Sequence, residues 1–221
     1  MSRININIAE LVRFYDDEPG ARSHSNAVKT VAGEELGLAL FENYLSGEGR
    51  NPVRIDAPCT TQGAWLDGWV KVTQPEPVLF QIEVKSWSMH GYGSRMHQLE
   101  VSANAEQLAN YKIRIWKHYW HAGAFKKKGL QKVLLPMTVP KGESGHVEPV
   151  ACIWAAVHPE GDASEFFSVE TKGGNFSNVH IFSMSAYLRN LLNAGAASLS
   201  LDLPDTARRM AYLSSLFPVL V

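Results

Sequence analysis

Cysteine, net charge and long apolar runs are all scarce in this sequence, and each scarcity removes a class of protein. Cys59 and Cys152 are the two cysteines among 221 residues. Neither has a second cysteine or a regularly spaced histidine beside it, so the pair reads as two buried thiols rather than a disulfide or a zinc knuckle. No stretch reaches the ~18 consecutive apolar residues of a membrane-spanning helix. The opening MSRININIAELVRFYDDE has no apolar core of the signal-peptide kind. A soluble, cytoplasmic chain with no membrane partner is the expectation. The formal charge is −1, so a polyanion could be met only by a local patch. No internal repeat or low-complexity segment is present.

Apolar residues make up 45% of the chain, enough for one sizeable core at this length. The expected layout is a single domain over 1–221, with an arm or packing helix in 1–26, a core over 27–157, and closing strands and helices over 158–221. Ile8, Leu11, Val12 and Tyr15 have helical spacing. Asn26 is a candidate cap for a helix over 27–45, which the SGEGRN turn ends. Strands are expected over 52–55 and, as a hairpin around a Thr-Gln-Pro-Glu-Pro turn, over 65–72 and 78–85. A long helix over 96–121 follows, then strands over 132–139, 150–157, 166–170 and 179–182. Helices over 185–192 and 206–217 close the chain, the last with Asp205 as candidate cap. This order predicts an α/β fold with a mixed sheet flanked by helices, because the hairpin is antiparallel and later strands arrive through helical crossovers.

Along 78–85, Phe80, Ile82 and Val84 point to one side and Gln81, Glu83 and Lys85 to the other. Trp65, Asp67 and Trp69 share a face of the preceding strand. With the turn centred on Pro75, partner numbers sum to 150, which sets Asp67 directly across from Glu83. Opposed like charges destabilise a sheet. A hard divalent cation, Mg²⁺ or Mn²⁺, held by one or two carboxylates and water, suits such a pair. Lys85 on the same face would stand beside the cation-bound water, where it can orient or deprotonate a nucleophile or hold a phosphate oxygen. The plainer alternative is a solvated strand face, and a one-residue slip in register would part the two carboxylates.

On the 27–45 helix, Val31, Leu38, Phe41 and Leu45 form an apolar stripe into which Glu34 falls. A carboxylate there is unfavourable unless it is paired or binds a cation. Glu35, about 100° further round, reads as its solvated neighbour. Gly33 and Gly37 each give up roughly 1 kcal/mol of helix propensity, which suggests close approach to the sheet. On the 96–121 helix, Gln107, Tyr111, Arg114, His118 and His121 line one stripe. Between Gln107 and Lys132 lie seven Lys or Arg, including Lys126, Lys127 and Lys128, and no Asp or Glu; against a total of −1 this leaves −8 elsewhere. Interleaved with Tyr111, Trp116, Tyr119, Trp120 and Phe125, the segment has the footprint of a phosphate-backbone site with base stacking. A solvated basic helix end with core aromatics is the alternative.

Over residues 33–111 the chain resembles the PD-(D/E)XK nuclease superfamily, the restriction-endonuclease-like fold. The resemblance rests on Gly33-Glu34-Glu35-Leu36-Gly37 on the first helix, Asp67 on a strand, and Glu83-Val84-Lys85 on the next. Gln107-Leu108-Ala109-Asn110-Tyr111 is similar to the Gln-x-x-x-Tyr signature of RecB-type nucleases. It implies an αβββαβ core in which Asp67 and Glu83 bind Mg²⁺, Lys85 assists the attacking water, Glu34 supports the metal or its water, and Gln107 and Tyr111 hold the site and the nucleic acid. Leu66 stands where the family pattern has proline. Asp56, in RIDAP, is the alternative family aspartate if the strand assignment fails.

The expectation is therefore a Mg²⁺- or Mn²⁺-dependent nuclease that hydrolyses nucleic-acid phosphodiester bonds, DNA foremost. Glu34, Asp67, Glu83 and Lys85 are its catalytic residues, Asp67 and Glu83 its metal ligands. Gln107, Tyr111, Arg114, Lys126, Lys127 and Lys128 form its nucleic-acid surface, and assembly as a homo-oligomer is left open. Two rivals are a catalytically inactive nucleic-acid-binding module on the same fold and a protein-interaction component presenting Trp65, Trp69 and Trp87 as an exposed aromatic patch.

Overall fold

The computed structural model describes residues 3–16, 28, 31–86, 107, 110, 113–114, 116–117, 119–126, 128–156 and 164–217. Strand β1 (Arg3–Asn7) runs into helix α1 (Ile8–Asp16), whose Ile8, Val12 and Tyr15 are buried, as their spacing predicts. Helix α2 (Gly33–Gly47) is followed by β2 (Val53–Ile55) and a small hairpin of β3 (Thr60–Thr61) and β4 (Ala64–Trp65). The main hairpin is β5 (Gly68–Val72) and β6 (Val78–Lys85). The described residues from 107 to 119 are helical. Next come β7 (Trp120–His121), β8 (Ala124–Phe125), the short helix α3 (Lys128–Gln131) and a 3₁₀ turn, Lys132–Leu134. Strands β9 (His146–Ile153), β10 (Phe166–Glu170) and β11 (Asn178–Ser183), helix α4 (Met184–Asn193), β12 (Ser198–Asp202) and helix α5 (Pro204–Leu216) follow.

Six strands form one mixed sheet in the order β10-β11-β9-β6-β5-β2. β9 pairs parallel with both β6 and β11, and the other neighbours pair antiparallel. A separate antiparallel ribbon joins β1 to β12. The predicted α/β architecture with a helix-flanked mixed sheet is what forms. β6 lies inside the sheet, and its Gln81 and Glu83 are fully buried. This corrects the view of that face as solvated.

The cover over Gln81 and Glu83 is the segment from Leu130 to Met137, whose Leu130, Val133 and Met137 are buried. Gln81 fastens it, donating to the Val133 and Leu135 carbonyls at 2.6 and 2.8 Å and accepting from the Met137 amide at 3.1 Å. These bonds explain why residues 132–139 form a 3₁₀ turn and irregular chain instead of the predicted strand. One side chain satisfies backbone groups that a ladder would otherwise have paired.

On the opposite face Phe80 and Val84 meet α2. The Phe41 and Phe80 rings lie 5.5 Å apart edge to face, and a Cβ on Gly37 would stand 2.3 Å from Val84 Cγ1. Gly37 is therefore the residue that lets the helix reach the sheet. Gly33 serves a different end: its φ of +50° turns the chain into α2, and a Cβ there would meet nothing nearer than Arg209 Nη1 at 3.5 Å. Gly37→Ala is expected to cost about 1–3 kcal/mol by overpacking, read as a lower urea midpoint. Gly47→Ala, with nothing within 4 Å of the new Cβ, should show no comparable loss.

Several expected boundaries move. α2 begins at Gly33 after Ala32, which makes no side-chain cap bond; the proposed cap Asn26 and the start at Ala27 lie outside the described residues, as do Met96 and the SMHGYGS loop. The 96–121 helix ends by Tyr119, because Trp120 and His121 pair with Phe125 and Ala124. α5 begins at Pro204 with Leu203 as its cap residue, so Asp205 lies inside the helix. Among the described residues no helix is long and apolar enough to cross a membrane.

Candidate active site at the end of the central hairpin

β5 and β6 pair in the register whose partner numbers sum to 150, from Val72 with Val78 to Gly68 with Ile82. One residue further the ladder gives way. The Asp67 amide donates to the Ile82 carbonyl at 2.9 Å, and Asp67 Oδ2 accepts from the Val84 amide at 2.6 Å. A side-chain carboxylate thus ends the ladder by engaging a β6 amide, which fastens Asp67 beside Glu83.

Glu83 is fully buried and meets two ammonium groups. Lys85 Nζ bonds Glu83 Oε1 and also donates to the Val84 carbonyl at 3.0 Å. Lys132 Nζ lies 2.9 Å from Glu83 Oε2 and donates to the Trp65 carbonyl at 2.6 Å. The Lys132–Oε2 contact lacks hydrogen-bond direction, so Oε2 is a buried acceptor with an ion-pair partner but no hydrogen bond. Burial, followed by the charge of Glu83, pushes the Asp67 carboxyl up to about 7; the Val84 amide and Lys85 pull it down, and Glu34 adds a smaller upward push. Burial also drives the Cys59 thiol up to about 12 and the Cys152 thiol well up. Both cysteines are free and buried, which makes them inert thiols beside the carboxylates.

Asp67 also borders a cavity of about 510 Å³ lined by Glu34, Arg54, Asp56 and Arg209, among others. Glu34 and Asp56 are exposed residues on its wall. Of the adjacent Glu34 and Glu35, it is therefore Glu35, expected to be solvated, that is buried. Its carboxylate accepts from the Asp205 and Thr206 amides at 3.0 and 2.7 Å and from the Thr206 hydroxyl at 2.7 Å. α5 sets its N-terminus over that side of α2, and Glu35 supplies the cap that α5 lacks locally. Glu34 is left to act on Asp67 through the cavity.

Among the described residues no three His, Cys, Asp or Glu side chains converge on one cation position. Asp67 and Glu83 are brought together, and Glu34 does not join them. Asp67 and Glu83 could offer oxygen donors to a hard cation, among them Glu83 Oε2, a buried acceptor without a hydrogen bond. Lys132 was missed as a site residue. In sequence it is only the end of a basic run, and it reaches Glu83 because Gln81 anchors the turn that carries it.

Gln107, Arg114, Lys126 and Lys128 are exposed, as a nucleic-acid surface requires, while Tyr111, His118 and Lys127 lie outside the described residues. The described aromatics of this segment turn inward. Trp116, Tyr119 and Phe125 are buried, and Trp120 stacks on Trp116 and meets the edge of Phe125, so they build core rather than a base-stacking platform. The three-tryptophan patch also fails: Trp69 is fully buried, Trp65 is 74% exposed, and Trp87 lies outside the described residues. Away from the site, Ser168, His180 and Glu148 form a cross-strand chain at 2.8 and 2.9 Å. The His180 hydrogen bond, against the opposing effect of burial, holds the Glu148 carboxyl below its usual range.

Compared with protein-family models, curated proteins and solved structures, the chain matches none.

Proposed function

We propose that this chain is a metal-dependent nuclease that hydrolyses phosphodiester bonds, with DNA as substrate. The observation that carries the reading is Asp67 fastened beside the buried Glu83, with the Lys85 ammonium bonded to the same carboxylate. The succession of elements supports it. Helix α2 precedes β2, β5 and β6, which pair antiparallel in turn; helical residues follow, and β9 then joins β6 in parallel. This succession supports the αβββαβ core that the resemblance implies, to which the β3–β4 and β7–β8 hairpins are additions.

Asp67 and Glu83 would hold Mg²⁺, which when bound supplies Lewis-acid activation of the phosphodiester and of water. Lys85 is held by Glu83 and the Val84 carbonyl, a fixed position from which its charge can orient the attacking water or hold a phosphate oxygen. It offsets negative charge that grows as phosphorus is attacked. The exposed Gln107, Arg114, Lys126 and Lys128 would grip the backbone of the nucleic acid. Incubation with linear, nicked and branched DNA and Mg²⁺ should give cleavage that Lys85→Ala lowers by about 10²–10³-fold. Equal cleavage by both proteins, or none on any substrate, counts against the reading.

One observation favours a second reading, an inactive nucleic-acid-binding module. Lys85 and Lys132 already pair with the two oxygens of Glu83. Under that reading DNA binding weakens with salt but is indifferent to Mg²⁺.

A further inference from the structure

We infer that Lys132 is a built-in stand-in for the metal: its ammonium occupies the outer side of Glu83 in the metal-free protein and is displaced when a divalent cation binds. The inference rests on the metal-site reading above and concerns how that site is kept when empty of metal. Glu83 is 0% exposed, and a carboxylate that stays ionised when buried needs a counter-charge. Lys85 provides one at Oε1. At Oε2 the partner is Lys132, 2.9 Å away and off hydrogen-bond geometry, so the contact is one of charge rather than of direction. A cation needs no more than charge and an open lone pair.

Charge counting shows why both cannot stay. Even with Asp67 fully ionised, two carboxylates and two ammonium groups balance, and adding a divalent ion beside them leaves an excess of positive charge in a buried site. Like charges a few ångströms apart there repel strongly. Lys132 is the group able to leave, because its side chain is 30% exposed against 19% for Lys85. Its stem starts from the 3₁₀ turn that Gln81 anchors, and its second bond, to the Trp65 carbonyl at 2.6 Å, lies at the exposed end of the small hairpin. Once released from Glu83 the ammonium stays at the mouth of the site, where a phosphate oxygen of the substrate is the natural next partner. Lys132 is thus a positioning residue that exchanges a carboxylate for a phosphate when metal enters.

The test is Mn²⁺ binding to the full chain by titration calorimetry, with wild type, Lys132→Met and Lys132→Arg. Lys132→Met should bind Mn²⁺ about tenfold tighter or more, because a competing charge is gone, while Lys132→Arg should stay near wild type. Wild-type binding that Lys132→Met leaves unchanged or weakens overturns the inference and leaves the metal site standing. Absence of binding in both proteins overturns the metal site itself, and the inference with it. If Lys132→Met does not fold, the side-chain Nζ signals of wild type decide. The Lys132 signal should move as Mg²⁺ is added, and a signal that stays in place overturns the exchange.

Discussion

Glu83→Gln is expected to abolish Mg²⁺-dependent cleavage, a loss of about 10³-fold or more, and to destabilise the fold by about 3–5 kcal/mol. Both effects have one cause. Glu83 is the single anion between the Lys85 and Lys132 ammonium groups, and the amide of glutamine leaves two partly buried cations facing each other across a neutral group. Losing one of the two lysines is milder, because Glu83 keeps the other. The discriminating variant is the triple replacement Glu83→Met, Lys85→Met and Lys132→Met. Exchanging a whole buried ion cluster for apolar side chains is often neutral or stabilising, so this protein should regain much of the lost stability while remaining inactive. Urea denaturation and a cleavage assay on the same preparations separate the two roles. A Glu83→Gln protein as stable as wild type would mean that the cluster is not the buried ion pair described, and full recovery of cleavage in the triple variant would remove Glu83 from the chemistry.

The parts of this site that could be read from sequence are those fixed by local chemistry. The hairpin register follows from the turn centred on Pro75 and from the apolar alternation of Phe80, Ile82 and Val84, and five residue pairs keep it. Gly37 was legible because a glycine one turn inside a helix is unfavourable unless something presses on it, and Val84 does. What could not be read depends on distant segments. The polar alternation Gln81, Glu83, Lys85 is the pattern of a wet strand face, and among the described residues it is the Leu130–Met137 cover that makes it an interior. The apolar residues of that cover resemble a strand until Gln81 takes their backbone hydrogen bonds. Glu34 and Glu35 are adjacent and chemically identical, so the choice between cavity wall and buried cap was made by α5, some 170 residues downstream. The aromatic residues near the basic run were equally ambiguous, since a tryptophan pattern that could stack on bases is also one that packs on Phe125 and Phe167.

Asp67→Asn is expected to remove both the pH dependence of metal binding and part of the pH dependence of stability, in opposite senses. The Asp67 carboxyl titrates near 7 in the folded chain, against 3.8 ordinarily. Between those values the folded state holds a proton that the unfolded state has released, so this group's contribution to stability is full below about pH 4 and is lost as pH rises through about 7. At 1.36 kcal/mol per unit the loss is on the order of 4 kcal/mol. The asparagine amide carries no such proton. The variant should therefore gain on wild type in urea midpoint between about pH 5 and about pH 8, and comparing the two proteins cancels the other titrating groups, Glu148 included. Metal runs the other way. A cation must expel the Asp67 proton before it can use that oxygen, so Mg²⁺ affinity should fall about tenfold for each pH unit below about 7. The thermal stabilisation given by Mg²⁺ should follow the affinity, rising from about pH 6 to about pH 8 in wild type and vanishing in the variant. A variant that Mg²⁺ stabilises as well as wild type at both pH values would show that Asp67 is not a ligand. A wild type whose stability relative to the variant does not change with pH would show that its carboxyl is not held near 7. The first result bears on the proposed chemistry and the second on the geometry beneath it, because the raised value comes from burial beside Glu83 whether or not a metal ever binds.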